Sequence, residues 1–328
     1  MIDAHHHLWD LTAREHRWLM DAQPWASDEE LARLRRSFTL ADLAPLAEAA
    51  RVTRTVVIQT AAEPWETSDL LALASGRDPY GTGDQPPGAE PPSAGRYEPA
   101  GNGLLAAVVG WTDLTTPAVA DAVAELMALP GGEFLCGIRH PVLMEPDPAW
   151  LARPAVLRGL HALVTAGLSF DLVTLPHQLP AAVTAARSVP ELSFVLDHLG
   201  GPPADSGAEG PDGPWAAAIR SLAALPNVTC KLSGAHTSPA RASDLRPYYE
   251  IVLAAFGPDR LMFGTDWPVS SLEATYGEVC DLYRELTIQL SPAEQEAIFE
   301  RTARRVYRLP GPPSPSQDTP GQPGAPGR

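Results

Sequence analysis

The sequence has few cysteines and no long apolar run. Cys136, Cys230 and Cys280 are far apart and form no Cys-x-x-Cys pair, which excludes a disulfide framework and a thiolate metal site. No stretch approaches the roughly 18 apolar residues of a membrane span, and the start MIDAHHHLWD lacks the basic and apolar regions of a signal peptide. We therefore expect a cytoplasmic protein whose cysteines are small core residues.

Positive charge is also scarce. The chain has 24 Lys and Arg residues against 40 Asp and Glu residues, a formal net charge of -16, and Lys231 is its single lysine. An acidic surface repels phosphate backbones and anionic lipid headgroups at long range. We expect a small-molecule substrate and no nucleic-acid or membrane partner. The oligomeric state stays open, with a homodimer as one option.

Short β-rich segments alternate with longer Ala- and Leu-rich segments of helical period, which is the pattern of repeated βα units. Eight candidate strands lie near residues 2, 57, 107, 137, 170, 195, 229 and 263. Six or seven strands would instead favour an open doubly wound sheet. No Gly-rich phosphate motif follows the first strand, where a dinucleotide-binding fold carries one. The sequence therefore predicts an α/β fold, a single (β/α)₈ TIM barrel.

The predicted barrel occupies residues 1–309 and contains a Pro- and Gly-rich surface insertion at residues 76–103. Residues 310–328 form a low-complexity tail that is too poor in apolar side chains to order itself. The first βα loop, residues 9–38, is long and holds three tryptophans at the barrel end where active sites lie. These tryptophans either cover the substrate or pin the loop to the barrel rim.

The first strand carries two histidines that could take part in catalysis or metal binding. Side chains alternate faces along a strand, so Asp3, His5 and His7 are predicted to share one face, with His6 on the other. His5 and His7 are then predicted to project together into the barrel mouth. Two imidazoles spaced i and i+2 suit ligation of a divalent metal or hydrogen bonding to a reacting oxygen.

Two later strands end in ionisable residues. The sixth ends at Asp197 and His198, of which strand parity predicts that only one faces the lumen. The eighth ends at Asp266, our candidate general base, and Pro268 soon stops the strand. A lone strand-end Asp is more often a cap or turn residue, but its combination with the two strand-one histidines indicates an active site.

Motifs over most of residues 1–308 resemble, in order and spacing, the lactonase branch of the amidohydrolase superfamily, of the amidohydrolase 2 type. They are DAHHHLWD, GIRH, FDLVTLPHQLP, VLDHLGGPP, NVTCKLSG and FGTDWPV. This branch includes L-fuconolactone and L-rhamnonolactone hydrolases and 2-pyrone-4,6-dicarboxylate lactonase. The resemblance implies a barrel that hydrolyses a cyclic ester, with Asp266 activating water and with His5, His7 and His198 around the attacked carbonyl.

The resemblance leaves the cofactor open, because some members of the branch work without a bound metal. Binuclear members bridge two metals with a strand-four lysine, whereas the only lysine here lies on strand seven. Either no cofactor is required, or one divalent ion, expected to be Zn²⁺, binds His5, His7 and Asp266, with His177 as a further ligand.

Six further residues are predicted to bind substrate. Arg139 and Lys231 would direct cations toward a substrate carboxylate, a lactone oxygen or a developing oxyanion, while an ion pair with Asp171 or another rim carboxylate is the alternative for Arg139. The remaining four are His177, Gln59, Trp111 and Trp267. The two tryptophans either offer their ring faces to a sugar ring or simply pack at the rim.

The sequence thus predicts a hydrolase that opens a sugar-acid lactone by water attack on the ester carbonyl. A mononuclear-metal decarboxylase of the same superfamily is one alternative, distinguished by carbon dioxide release and a strict need for metal. A barrel that binds a sugar acid without converting it is the other, and would show a ligand-induced rise in melting temperature without product.

Overall fold

Eight parallel strands follow one another around a barrel in chain order. The computed structural model describes residues 1–79, 103–202, 213–234 and 242–309. The strands are β1 (Ile2–His6), β2 (Arg54–Ile58), β3 (Leu105–Gly110), β4 (Leu135–His140), β5 (Ser169–Leu172), β6 (Phe194–Leu196), β7 (Val228–Leu232) and β8 (Leu261–Phe263). Just past β8, the Asp266 N–H donates to the His5 carbonyl at 2.7 Å and the His7 N–H donates to the Trp267 carbonyl at 2.7 Å. These bonds join the last strand to the first, and the predicted (β/α)₈ barrel is confirmed.

Helices cover the outside of the sheet. In the described part of the chain they are α1 (Asp28–Leu34), α2 (Leu40–Ala49), α3 (Pro64–Ala74), α4 (Val119–Ala128), α5 (Pro154–Ala166), α6 (Leu179–Ser188), α7 (Pro214–Ala223), α8 (Ala242–Phe256), α9 (Tyr276–Leu286), α10 (Pro292–Glu296) and α11 (Thr302–Val306), the last two joined by a π-helical turn. None of these helices has the length and apolar character needed to cross a membrane.

Apolar side chains form two clusters, one on each face of the sheet. The larger lies between the strands and the helices. The smaller fills the lower lumen with alternate strand residues such as Ala4, Val56 and Met262, and the end of the described chain, including Tyr307 and Leu309, packs beneath them. The amino end of the barrel is therefore closed by apolar packing, and its polar residues collect toward the carboxyl ends of the strands.

The long first βα loop crosses the carboxyl end of the barrel. It begins and ends in a backbone bridge between Trp9 and Phe38 and contains α1. The predicted insertion lies outside the described residues except for residues 76–79 and 103, and the predicted tail lies wholly outside them.

Candidate active site

β1 brings two imidazoles together at the carboxyl end of the lumen. The Nε2 atoms of His5 and His7 lie 3.3 Å apart, and both rings are buried. Asp3 does not join them, because the pairing of β1 with β2 shifts register between Asp3 and His6. The Asp3 carboxylate instead accepts a hydrogen bond from Tyr276 of the outer helix α9. The predicted shared face of Asp3, His5 and His7 is therefore wrong for Asp3.

A backbone carbonyl orients the His7 ring. Its Nδ1 lies 2.8 Å from the Ile58 carbonyl oxygen, which only accepts, so Nδ1 carries a proton. The other ring nitrogen, Nε2, faces Asp266 Oδ1 at 3.1 Å. This contact is suited to a proton shared between the two atoms or to a cation that binds both.

Asp266 lies where three imidazoles converge. Its Oδ1 is 3.1 Å from His7 Nε2 and 3.4 Å from His5 Nε2, and its Oδ2 is 3.8 Å from His198 Nε2. The residue has a φ of 58°, a left-handed conformation that costs a non-glycine residue about 1–2 kcal/mol. Asp3 supports this turn, because its carboxylate accepts hydrogen bonds from the N–H and the hydroxyl of Thr265.

Asp197 and His198 both reach the site, so the parity prediction for this pair is wrong. β6 ends at Leu196, and His198 has a φ of 53°, which breaks the alternation of the strand. Asp197 Oδ1 lies 3.3 Å from His5 Nδ1, and the His198 and His5 ring centroids are 4.5 Å apart. The His198 ring is positioned by Ser233, whose hydroxyl lies 2.9 Å from Nδ1.

Lys231 lies beneath the imidazoles rather than at the surface of the cavity. It is completely buried, and its Nζ is 2.6 Å from Asp171 Oδ2, 3.0 Å from Asp197 Oδ1 and 3.1 Å from His5 Nδ1. Tyr307 rises from below and donates a hydrogen bond to Asp171 Oδ2 at 2.6 Å. The structure therefore places Lys231 in a buried ion network and not in the position expected of a substrate ligand.

The network sets the charges of its members. Burial disfavours the ammonium, but Asp171 and Asp197 outweigh it and raise the pKa of Lys231 above its ordinary value. Burial, reinforced by the Lys231 charge, lowers the pKa of His5 well below its usual range. Burial opposes ionisation of Asp197, yet Lys231 and His5 hold the pKa of that carboxyl well below its ordinary value. His5 is thus a neutral imidazole between a permanent cation and carboxylates.

Arg139 reaches the same site from β4. Its Nη1 donates to Asp197 Oδ2 at 3.3 Å and lies 3.4 Å from His5 Nε2. Its ion-pair partner is thus Asp197, a rim carboxylate other than Asp171, as the alternative for Arg139 allowed. Its buried Nε has no hydrogen-bond partner among the described residues.

The donor set fits one divalent ion. In the described part of the chain, His5, His7 and Asp266 each place a ligand atom within 4.8 Å of the others. Ligands about 2.0–2.1 Å from a tetrahedral Zn²⁺ are about 3.3 Å from one another, and the three separations here are 3.1, 3.3 and 3.4 Å. His177 is not part of this group; it lies in the turn Pro176–Gln178 after β5.

A cavity of about 790 Å³ lies above these residues. His7, Arg139, His198 and Asp266 line its inner part. The first βα loop contributes to the outer lining with residues that include Trp18 and Trp25, which gives two of its tryptophans a place beside a bound ligand.

Four other predicted binding residues lie outside the described lining of this cavity: His177, Gln59, Trp111 and Trp267. Gln59 donates through Nε2 to the Arg139 carbonyl at 2.9 Å, and therefore acts on that residue's position. Trp111 donates to His140 Nδ1 at 3.2 Å. Trp267 is buried edge-on against Phe38, with ring centroids 5.5 Å apart. The two tryptophans make the rim-packing contacts considered as their alternative role.

Sequence reasoning missed Asp197 and Tyr307 as parts of the site. Asp197 had a signal, its place beside His198 at a strand end, but the parity argument set it aside. Tyr307 follows α11, beyond the last strand, and its contact with Asp171 depends on how the chain end packs beneath the lumen.

Comparison with known proteins gives consistent results. The amidohydrolase family profile matches residues 104–309. A curated L-fucono-1,5-lactonase of Burkholderia multivorans is 35% identical over 324 residues, covering 95% of this chain and 97% of that protein, and one of Burkholderia ambifaria is 32% identical over 322 residues, covering 94% and 95%. A crystal structure of an amidohydrolase from Burkholderia multivorans with bound Zn is 34% identical, covers 94% of this chain and 99% of that chain, and has a TM-score of 0.76.

Proposed function

Because this chain belongs to the amidohydrolase family, we propose that it is a hydrolase that opens a sugar-acid lactone by water attack on the ester carbonyl. The observation that carries the proposal is the position of Asp266, a carboxylate held against three imidazoles in the inner part of a large cavity. The near full-length similarity to two proteins named L-fucono-1,5-lactonase supports a five- or six-membered polyhydroxy lactone as substrate.

In the proposed reaction Asp266 accepts a proton from water as the oxygen attacks the lactone carbonyl carbon. Its carboxylate suits this role because it can accept a proton and lines the cavity beside His7 and His198. The carbonyl oxygen gains charge, and Arg139 and His198 are the donors beside the cavity that stabilise it. The ring C–O bond then breaks and Asp266 returns the proton to the leaving hydroxyl, so lactone and water give one hydroxy acid.

A divalent ion has a place in this scheme. His5, His7 and Asp266 would hold it, and such an ion lowers the pKa of a bound water and polarises a carbonyl. Zn²⁺ is the ion we propose, on the ligand types and on the Zn found in the related amidohydrolase structure.

The test is acid release from a panel of sugar lactones, including L-fucono- and L-rhamnonolactone, measured with a pH indicator. We expect turnover by the natural chain and a loss of about 10²–10⁴-fold in kcat for Asp266→Asn, the range for removal of a general base. The matched control is Asp113→Asn, because Asp113 also follows a strand but accepts turn hydrogen bonds from Thr115.

Each outcome has a definite meaning. Full activity of Asp266→Asn would contradict the role of Asp266, and an equal loss in Asp113→Asn would mean that the effect is not specific to the site. No turnover of any lactone, or release of carbon dioxide from an unsaturated acid, would contradict the proposed reaction.

A further inference from the structure

The Arg139 guanidinium is held at the cavity by two acceptors. Its Nη1 donates to Asp197 Oδ2 at 3.3 Å, and its Nη2 donates to the backbone carbonyl of Gln59, just past β2. The side chain is 7% exposed and lines the inner part of the cavity. The direction of the guanidinium therefore depends on where the Gln59 carbonyl points.

The Gln59 carbonyl belongs to the same planar trans peptide group as the Thr60 N–H, which points the opposite way. That N–H donates to Glu66 Oε2 at 2.8 Å, and the Ala61 N–H donates to the same oxygen at 2.6 Å. Glu66 thus holds the peptide group at its nitrogen while the carbonyl oxygen of the same group holds Arg139. A rotation of this peptide group would break the hydrogen bond at each end.

Glu66 is well placed to keep this peptide group rigid. It lies in the first turn of α3, is 2% exposed, and accepts a third hydrogen bond through Oε1 from the Thr60 hydroxyl at 2.6 Å. Oε2 accepts both backbone hydrogen bonds whether the carboxyl is ionised or neutral, because a neutral carboxyl can carry its proton on Oε1. The turn that it holds, residues 60–63, lines the cavity, and Glu66 lies behind the described lining.

We propose that Glu66 is a positioning residue, which fixes the peptide group carrying the Gln59 carbonyl and thereby directs the Arg139 guanidinium at the substrate. The inference rests on the proposed function only for what Arg139 then does, which is to stabilise the charge that develops on the lactone carbonyl oxygen. A displacement of about 1 Å in a group that contacts the transition state can lower the rate by about 10²-fold. A purely structural Glu66 would instead affect the stability of the fold and leave the turnover of the folded protein unchanged.

Replacement of Glu66 by alanine removes the acceptor of both backbone hydrogen bonds. We expect Glu66→Ala to lower kcat on a lactone about 10- to 10²-fold with KM within about twofold of the natural value, because Arg139 acts on charge that develops in the transition state. Glu66→Gln keeps an acceptor oxygen in the same place and should keep kcat within about threefold. If Glu66→Ala does not fold, Glu66→Asp takes its place, since it draws the carboxylate back from the N–H groups by one methylene and should lower kcat in the same way.

Leu71→Ala is the control for lost packing. Leu71 is a fully buried core residue of the same helix, so its truncation should lower the melting temperature and leave kcat unchanged. A natural kcat in Glu66→Ala, or a loss in Leu71→Ala equal to that in Glu66→Ala, would overturn the proposal.

A double variant asks whether Glu66 acts through Arg139. In an Arg139→Ala background, Glu66→Ala should cause no further loss of kcat, because the side chain that Glu66 positions is absent. The same loss with and without Arg139 would mean that Glu66 acts on the site by another route, contrary to the proposal.

A substrate-free measurement separates this inference from the proposed function. The NMR signal of the Arg139 Nε–H group, assigned by its absence in Arg139→Lys, reports how firmly the guanidinium is held. We expect slow exchange of this proton with water in the natural chain and in Glu66→Gln, and exchange at least about tenfold faster in Glu66→Ala. Equal exchange rates in the natural chain and Glu66→Ala would contradict the positioning of Arg139, whether or not a lactone is the substrate. Faster exchange in Glu66→Ala without turnover of any lactone would support the positioning of Arg139 and contradict the proposed function alone.

Discussion

At the scale of single residues, the site depends on backbone conformations that residues other than glycine rarely adopt. Asp266 and His198 both have positive φ, and the chain leaves each strand abruptly at these points. Such strain collects at functional sites and persists where the surroundings determine it. The conformation turns the Asp266 carboxylate and the His198 ring toward His5.

Gly234 gives a prediction at this scale. A Cβ at this position would lie 2.5 Å from the His198 ring, and its φ is 67°. We therefore expect Gly234→Ala to displace His198 and to lower kcat at least tenfold. Gly257 is the matched control, because its φ is 69° and a Cβ there has no neighbour within 4 Å. Gly257→Ala should also have backbone strain, because of its positive φ, but an unchanged kcat. Equal kcat values for the two variants would contradict the positioning of His198 by this contact.

The sequence identified His5, His7, His198 and Asp266 because strand ends in a barrel meet at one rim. It could not place Asp197 or Lys231 correctly. Strand parity applies only while the strand continues, and β6 ends before Asp197. The depth of Lys231 depends on which carboxylates surround it, and these come from β5 and from the end of β6.

At the scale of elements, the spacing of apolar residues along the chain predicted the strands and the helices well. The Ala- and Leu-rich segments between the strands form helices, such as Leu40–Ala49, Val119–Ala128 and Pro214–Ala223. The register shift within β1 had no sequence signal. It depends on the pairing with β2, and it places the Asp3 side chain on the opposite face of the strand from His5.

The start of α3 gives a pH prediction. Glu66 is buried there and accepts hydrogen bonds from the Thr60 and Ala61 N–H groups, and burial raises its pKa to about 7. The folded state then binds more protons than the unfolded state between about pH 4.5 and 7, so this group's contribution to stability falls as pH rises through that window. In thermal unfolding against pH, the melting temperature of the natural chain should fall relative to that of Glu66→Gln from pH 4.5 to 7, because glutamine cannot ionise.

The control for this experiment is Glu63→Gln, an exposed position three residues earlier. Its melting temperature should follow the natural profile at every pH. A Glu66→Gln profile parallel to that of the natural chain would mean that Glu66 does not titrate in this window.

At the scale of the whole molecule, two distant parts of the chain complete the site. β1 supplies His5 and His7, while Tyr307, close to the end of the described chain, reaches Asp171 from beneath the lumen. Eight βα units were enough to predict a closed barrel, but the sequence does not indicate which side chain fills the space below the ion network. The position of Tyr307 there depends on how the last helix packs against the barrel, and no local sequence pattern predicts that packing.

The central claim is that water enters the carbonyl group of a lactone at the Asp266 site. The most direct test is mass spectrometry of the product formed from L-fuconolactone in H₂¹⁸O, with the uncatalysed rate subtracted. We predict one ¹⁸O atom in the carboxylate of the sugar acid, formed rapidly by the natural chain and about 10²–10⁴-fold more slowly by Asp266→Asn. Label in the released hydroxyl instead, or the same rate with both proteins, would contradict it.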